Sequence, residues 1–227
     1  MGYVPAVGVR EAREQVAVVA RRLAADGLVL GTAGNVSQRA GDHVAVTPTG
    51  AVLADLGADD VSVVALDGLQ VDGPLAPTSE LDLHLGAMNA HGCGAVVHTH
   101  APMSTAVACV ADELPCVHYA MLALGGDVPV APYATFGTPR LAESVVAAPE
   151  GRPAALMASH GAVTVGLTAE VALEQALLLE WAATVYLNAV RAGEPHVLDQ
   201  AERTAVIEAV VARGYGSTKP AGEGDGT

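Results

Sequence analysis

The chain has 227 residues, 51% of them hydrophobic, and its formal net charge of −14 at pH 7 disfavours nucleic acid as a partner. It is long enough to bury one well-packed core, and its apolar stretches are too short or too interrupted by polar residues to cross a membrane. The N-terminus does not follow the pattern of a secretory signal peptide, so we predict a cytoplasmic protein with no nucleic-acid and no membrane partner.

The first half of the chain predicts one helix followed by short strands. Apolar residues recur at helical spacing from residue 10 to 25, and Gly27 follows as a C-terminal cap. GTAGNVSQRA, residues 31–40, and TPTG, residues 47–50, are rich in Gly, Asn, Ser and Thr and predict loops. β-Branched runs bounded by Gly and Pro predict strands in HVAVTPTG, VSVVALDGLQV and GAVVHTH, with a hairpin turn at the Asp-Gly pair of the second run.

The second half of the chain alternates helices with strands. Helical periodicity is present in SELDLHLGAMNAH, TPRLAESVVAA, TAEVALEQALLLEWAATVYLNAVRAG and DQAERTAVIEAVVARG, while PAALMASH and AVTVG predict strands. The whole pattern predicts a mixed α/β unit in which helices sandwich a largely antiparallel sheet. We assign residues 1–216 to a single domain and the Gly-rich, charged stretch 217–227 to a flexible tail.

Three histidines are candidates for a metal site. His98 and His100 lie two residues apart at the end of a predicted strand, so both point to one face, with Cα atoms about 6.5 Å apart. His160 also follows an apolar run and precedes a glycine. Three histidines at strand ends are a common ligand set for a catalytic Zn²⁺ that keeps one coordination position open. The remaining histidines are interpreted as structural or surface residues: His43, His84, His91, His118 and His196.

A carboxylate is also expected near the metal, and Glu80 is the best placed. It falls in the first turn of the predicted helix, ahead of a buried stripe formed by Leu81, Leu85 and Met88. The alternative is a solvent-facing glutamate at a helix start. Just before it, Thr78 and Ser79 offer hydroxyls and free backbone N–H groups. Together these groups predict a phosphate-binding site that needs no lysine.

The motifs GTAGNVS, VTPTG, PTSE, VVHTHAP, HYAMLALGGDVPVAPYATFGT and SHGAV occur in the order and spacing of the class II aldolase/adducin family. The chain resembles the aldolases of that family most, over almost its whole length. The resemblance implies a three-layer αβα sandwich around an antiparallel sheet. It also implies a homotetramer with active sites at subunit interfaces, each holding one Zn²⁺.

The resemblance also assigns roles to individual residues. It implies zinc ligation by His98, His100 and His160, with Glu80 as the catalytic acid/base that can ligate zinc when substrate is absent. It places two catalytic tyrosines, Tyr119 reaching into the adjacent subunit and Tyr215 on a mobile C-terminal segment. The phosphate-binding loops then comprise Gly34, Asn35, Thr49, Gly50, Thr78 and Ser79.

The implied reaction is the reversible cleavage of a ketose 1-phosphate, L-fuculose 1-phosphate or a related deoxyketose 1-phosphate, into dihydroxyacetone phosphate and a short aldehyde. The only lysine is Lys219, so a metal rather than a lysine imine must activate the carbonyl. The alternatives within the family are a pentulose-phosphate 4-epimerase, a dehydratase and a non-catalytic adducin-like scaffold. Glu80 and the Pro48-Thr49-Gly50 sequence favour the aldolase, because the epimerases of the family carry Asp and PSG there.

Overall fold

The structure is a computed structural model that describes residues 7–148 and 151–213. Six α-helices lie in this described part of the chain: α1 (Val9–Ala25), α2 (Leu81–His91), α3 (Pro102–Ala108), α4 (Pro139–Ala147), α5 (Ala169–Ala192) and α6 (Gln200–Arg213). The strands are β1 (Asn35–Ala40), β2 (His43–Val46), β3 (Ser62–Ala65), β4 (Gln70–Asp72), β5 (Ala95–Thr99), β6 (Glu113–Leu114), β7 (Val128–Ala131), β8 (Ala154–Met157) and β9 (Gly161–Gly166). Tyr215 and the predicted boundary between residues 216 and 217 lie outside the described residues.

The strands form one sheet in the order β4-β3-β2-β1-β5-β9-β8-β7-β6. Every neighbouring pair is antiparallel except β7 and β8, which are parallel. Alternate residues of the central strand β5 face opposite apolar cores: Val97 packs on the side of α1 and α5, and Val96 packs on the side of α2 and α4. Helices therefore cover both faces of the sheet, and the predicted αβα sandwich is confirmed.

The predicted hairpin turn is confirmed, and a side chain caps the longest helix. β3 and β4 form a hairpin whose turn places Gly68 at φ 90°, in the left-handed region that glycine enters without strain. The hydroxyl of Thr168 accepts a hydrogen bond from the N–H of Val171 and caps α5. Within the described ranges, no helix combines the length and the apolar character needed to cross a bilayer.

The prediction of a loop over residues 31–40 is wrong for its second half, because Asn35–Ala40 is strand β1 in the middle of the sheet. Asn35, Ser37 and Gln38 of this strand are buried, and their side chains bond groups that are distant in sequence. The side-chain N–H of Gln38 donates to the carbonyl of Gly94, and its side-chain oxygen accepts from the N–H of Ala169. These partners are remote in sequence, so the local composition indicates a loop although the strand is central. The sequence also gave no prediction of β6, β7 or α3.

Helix α2 begins one residue later than predicted. Glu80 is the residue that precedes its first turn rather than a member of that turn. Leu85 and Met88 are buried as expected, but Leu81 is only partly buried. Its place on the buried face is taken by Leu83 and by the fully buried His84, so α2 presents an imidazole to the sheet.

Candidate metal centre and active site

The structure brings the three predicted histidines together. His98 belongs to β5, His100 follows that strand directly, and His160 precedes β9, the antiparallel neighbour of β5. One nitrogen from each ring lies within 4.8 Å of the others, and the ring centroids are 4.8 to 4.9 Å apart. Three imidazoles from two adjacent strand ends therefore surround one small volume.

The backbone around the cluster fixes how these rings point. His98 Nδ1 lies 2.9 Å from the carbonyl oxygen of Ala162, to which it donates, so Nε2 carries the lone pair and faces the other rings. Ser159 is left-handed at φ 53°, which turns the chain immediately before His160. Gly161 lies against the carbonyl of Thr99 so closely that any side chain would overlap it.

Glu80 places its carboxylate beside the same rings. Its Oε2 accepts from Asn35 Nδ2 at 2.9 Å and lies 3.3 Å from His98 Nε2. Its Oε1 is buried, has no hydrogen-bond partner, and lies 3.6 Å from His160 Nε2. Burial alone would raise the pKa of Glu80, but His98, the Asn35 hydrogen bond and His160 together hold it below its usual value. The carboxylate is therefore ionised at neutral pH.

Two histidines of this cluster, His100 and His160, are neutral at neutral pH. Burial, with a smaller effect of the neighbouring His98, lowers the pKa of His100 to about 4, and the same two causes lower the pKa of His160. Neutral imidazole nitrogens are the form that binds a metal. His98, His100 and His160 offer three nitrogens, and the unpartnered Oε1 of Glu80 adds one oxygen. This donor set fits a divalent cation.

A cleft of about 280 Å³ opens in front of this cluster, beside the N-terminus of α2. All six predicted phosphate-binding residues line it, together with Glu80, His100 and His160. The remaining lining residues are Thr32, Ala33, Pro48, Tyr133, Ala134, Phe136 and Ser159. Among the described residues that line the cleft there is neither lysine nor arginine, so an anion bound by these residues would meet neutral donors and the helix end rather than a basic side chain.

Two of the predicted phosphate loops are held side by side by backbone hydrogen bonds. The N–H of Thr49 donates to the carbonyl of Ala76 at 3.0 Å, and the N–H of Thr78 donates to the carbonyl of Thr47 at 3.1 Å. The hydroxyl of Thr78 accepts from Asn35 Nδ2 at 3.1 Å and from the N–H of Glu80 at 3.3 Å. With two donors on its oxygen, that hydroxyl has its own proton left to give to a ligand.

Glycine is required at Gly34 for two reasons. Its φ is 80°, a left-handed conformation, and a Cβ there would lie 2.9 Å from the carbonyl oxygen of His98. Only a residue without a side chain lets the first loop approach the metal cluster this closely. Gly50 is also left-handed, at φ 70°, where the second loop turns into the cleft.

Tyr119, one of the two predicted tyrosines, is not among the residues that line this cleft. Tyr119 begins a short 3₁₀ helix, residues 119–124, and its side chain lines an apolar groove against α5 and α6 instead. It is 42% exposed. Tyr215 lies outside the described residues.

Sequence reasoning missed His84, which it grouped with the structural or surface histidines. The ring is fully buried, and it contacts Ser37 and Asn35 on β1. Two spacings signal this position: His84 follows Glu80 by one helical turn, and Asn35 and Ser37 are two apart on one strand face. Tyr133 and Ser159 were also missed as lining residues, and no local pattern marks either.

The chain matches the family described as Class II Aldolase and Adducin N-terminal domain over residues 14–187. It is 40% identical over 191 residues to a 5-methylthioribulose-1-phosphate/5-deoxyribulose-1-phosphate aldolase of Rhodospirillum rubrum, covering 83% of this chain and 86% of that protein. It is 38% identical over 185 residues to an L-fuculose phosphate aldolase of Escherichia coli, covering 80% of this chain and 86% of that protein.

Its fold also matches a solved L-fuculose 1-phosphate aldolase, with a TM-score of 0.84 and 32% sequence identity, covering 88% of this chain and 96% of the other. The resemblance predicted from the motifs is confirmed, and the named relatives are lyases of the aldolase type, so this chain is an aldehyde-lyase. The protein belongs to the class II aldolase and adducin family.

Proposed function

We propose that this enzyme is a zinc-dependent aldolase that reversibly cleaves a deoxyketose 1-phosphate into dihydroxyacetone phosphate and a short aldehyde. The observation that carries the proposal is the buried Oε1 of Glu80, which has no hydrogen-bond partner, beside three converging histidines. A carboxylate oxygen is left without a donor in a protein interior only at a cost, and a divalent cation held by His98, His100 and His160 would remove that cost. Nitrogen-rich sites of this kind suit Zn²⁺.

The proposed substrate class rests on the names of the relatives and on an apolar part of the cleft lining. The relatives are named for L-fuculose phosphate, 5-deoxyribulose 1-phosphate and 5-methylthioribulose 1-phosphate, which share a 1-phosphate and an apolar terminal group. In this chain the side of the cleft formed by Tyr133, Ala134 and Phe136 is largely apolar. Such a wall favours an aldehyde that ends in a methyl or methylthio group over one that ends in a hydroxyl.

The phosphate end of the substrate is held by neutral groups. The Thr78 hydroxyl proton, Ser79 and the turn at Thr49 and Gly50 line one end of the cleft, next to the start of α2. The side-chain amide of Asn35 connects this end of the cleft to the carboxylate, because it donates to both the Thr78 hydroxyl and Glu80. Fixing the phosphate there positions the dihydroxyacetone half of the substrate against the metal cluster. When bound, the metal supplies Lewis-acid polarisation of the substrate carbonyl.

Glu80 is the proposed proton-transfer group. Its lowered pKa keeps it ionised, so in the synthetic direction it can accept the proton from the hydroxymethyl carbon of dihydroxyacetone phosphate. As the new carbon–carbon bond forms, the aldehyde oxygen needs a proton, and we propose the phenol of Tyr119 or Tyr215 as its donor. Cleavage is the reverse: the phenolate takes the proton of the hydroxyl on the fourth carbon as the bond between the third and fourth carbons breaks, and the protonated Glu80 returns its proton to the third carbon.

Because Tyr119 lies outside the cleft of its own chain, this role requires a second copy of the protein. We propose a homotetramer in which Tyr119 completes the site of a neighbouring subunit. Support comes from the groove around Tyr119, which is lined by exposed apolar side chains such as Ile207, Val210 and Val211. Apolar groups collected at one place on a surface favour a protein partner.

A phosphorylated sugar substrate also supports the predicted cytoplasmic location, because phosphate esters do not cross membranes freely.

The proposed function is tested by incubating the purified protein with L-fuculose 1-phosphate, 5-deoxyribulose 1-phosphate and 5-methylthioribulose 1-phosphate, and detecting dihydroxyacetone phosphate. We expect release from at least one of them, loss of release with a chelator, and recovery with Zn²⁺. Metal analysis is carried out on the same preparation. Conversion without dihydroxyacetone phosphate would indicate an epimerase or dehydratase, and a metal-free protein that does not respond to zinc would indicate a scaffold.

A further inference from the structure

We propose that His84, supported by Ser37, is a positioning residue that holds the amide of Asn35 with its NH₂ group facing Glu80 and Thr78. The inference deepens the proposed function and rests on it, because Glu80 and Thr78 are the groups proposed to move the proton and bind the phosphate. Neither His84 nor Ser37 lines the cleft, so both act only through Asn35.

The geometry follows from one helix lying over one strand. Asn35 and Ser37 are two residues apart on β1 and therefore point to the same face of the sheet, the face covered by α2. The ring of His84, on α2, fits between them. Its Nδ1 is 2.6 Å from Ser37 Oγ, and its Nε2 is 2.5 Å from Asn35 Oδ1. The imidazole is completely buried, as is the side chain of Ser37.

The direction of every hydrogen bond in this network is determined by the groups at its ends. The NH₂ group of Asn35 donates to the carboxylate of Glu80, so the carbonyl Oδ1 of Asn35 faces His84. That oxygen only accepts, which places the single ring proton of a neutral His84 on Nε2. Burial is the main reason the ring is neutral, since it lowers the pKa of His84 to about 3. Nδ1 then accepts from the hydroxyl of Ser37.

The other ring tautomer would turn the amide around. With the proton on Nδ1, the lone pair of Nε2 would face Asn35 Oδ1, and the two acceptors would repel each other. If the amide then rotated, its oxygen would face the Glu80 carboxylate and the hydroxyl of Thr78 would lose the donor that now lies 3.1 Å away. The hydroxyl of Ser37 can donate to Nδ1 when Nε2 carries the ring proton, so every group of the network has a partner in the Nε2–H tautomer. The network therefore specifies one orientation of Asn35.

A pair of matched amide variants tests the proposal. Glutamine at position 84 places its NH₂ group where Nε2 lies and can still donate to Asn35. Asparagine has the same amide on a shorter chain and reaches only the position of Nδ1. We expect His84→Asn to lower kcat by about 10- to 100-fold, the usual cost of losing an outer hydrogen bond to an active-site group, and His84→Gln to retain most of the activity. Melting temperatures of both variants show whether either change acts merely through folding.

A second measurement does not depend on activity. Long-range ¹H–¹⁵N correlation spectra of the full-length protein, with and without Zn²⁺, report which nitrogen of His84 carries the proton. We expect the Nε2–H tautomer and a slowly exchanging Asn35 side-chain NH₂ in wild type and in His84→Gln, and fast exchange of that NH₂ in His84→Asn. An Nδ1–H tautomer, a charged ring, or equal effects of the two variants on kcat would overturn the proposal. A wild-type protein without aldolase activity would instead overturn the proposed function, while the spectra would still decide the orientation of Asn35.

Discussion

The histidine cluster and the surface around Tyr119 are built in opposite ways. At the cluster, every donor comes from one chain, His98 is fully buried, and the ring orientations are fixed by backbone or by packing. Around Tyr119, by contrast, large apolar side chains of α6 are exposed, including Val211 at 77%. The difference indicates that one chain contains the whole metal-binding half of the proposed active site. Under our proposal, a tyrosine from another copy completes this site by donating a proton to the aldehyde oxygen.

The largest loss of activity is expected from removing a histidine of the metal-binding cluster. His160→Ala removes one of three ligands, so we expect metal content to fall and kcat/KM to drop by roughly 10³-fold or more, as several kcal/mol of carbonyl polarisation are lost. Metal analysis and initial rates measure both effects. His196→Ala is the matched control, because that histidine is exposed and contacts Glu202 away from the cluster. Equal loss in both variants would contradict the assignment of His160.

The next largest effect separates proton transfer from metal binding. Glu80→Gln keeps the shape of the side chain and a carbonyl oxygen, but an amide cannot take up the proton. We expect kcat to fall by about 10²- to 10⁴-fold while the three histidines retain the metal. Substantial activity in a metal-loaded Glu80→Gln enzyme would remove Glu80 from its proposed role.

A complementation experiment tests whether the two regions meet across subunits. Tyr119→Phe and Glu80→Gln proteins are each expected to be nearly inactive. After mixing, dissociation and reassembly, some sites combine an intact Glu80 from one chain with an intact Tyr119 from the next. For random assembly of equal amounts, roughly a quarter of the sites should recover. No recovery from assemblies shown by mass analysis to be mixed would mean that Tyr119 serves its own chain or has no catalytic role.

The smallest effect concerns the attachment of α6 beside Tyr119. Arg203 on α6 donates to both oxygens of Asp127, at 2.7 and 2.8 Å, and this guanidinium holds the pKa of Asp127 below its usual value. We expect Asp127→Asn to lower the free energy of unfolding by about 1 kcal/mol, since the pair is only partly buried.

The contribution of this pair should disappear in acid. A carboxyl whose pKa is lower in the folded state stabilises the protein above its unfolded pKa, about 3.9, and loses that contribution as the pH falls through its folded pKa. Thermal unfolding at pH 7 and near pH 3 measures the difference between wild type and Asp127→Asn. A difference that is independent of pH would contradict the role of the Asp127 charge.

The histidine cluster and the layers of the fold are the parts of the molecule that the sequence predicts best. The histidine cluster can be predicted from the sequence because His98 and His100 are two residues apart, which is the side-chain repeat of a strand. His160 in turn follows a recognisable apolar run. Their proximity depends only on β5 and β9 being neighbours. The αβα layers follow in the same way from periodic apolar residues along α1, α4 and α5.

Prediction failed where long-range contacts stabilise polar residues. β1 carries Asn35, Ser37 and Gln38 into the middle of the sheet, and each is satisfied by a partner at least 43 residues away. His84 was missed for the same reason, since its spacing from Glu80 and the two-residue spacing of Asn35 and Ser37 become a signal only once α2 is known to pack on β1. The roles of the phosphate-binding loops and of Tyr215 stay predictions, as does that of Tyr119, which the complementation experiment tests.

The position of β5 has a further consequence for how long the ion stays bound. β5 is the fifth of nine strands, with four on each side, and its side chains are buried on both faces. Backbone opening is rarest in such a strand, so its amide hydrogens should exchange among the slowest in the protein. An ion held there would not escape through fraying of the fold. Its residence time would be governed by access through the cleft, and a bound sugar phosphate that fills this opening would protect the enzyme against chelators.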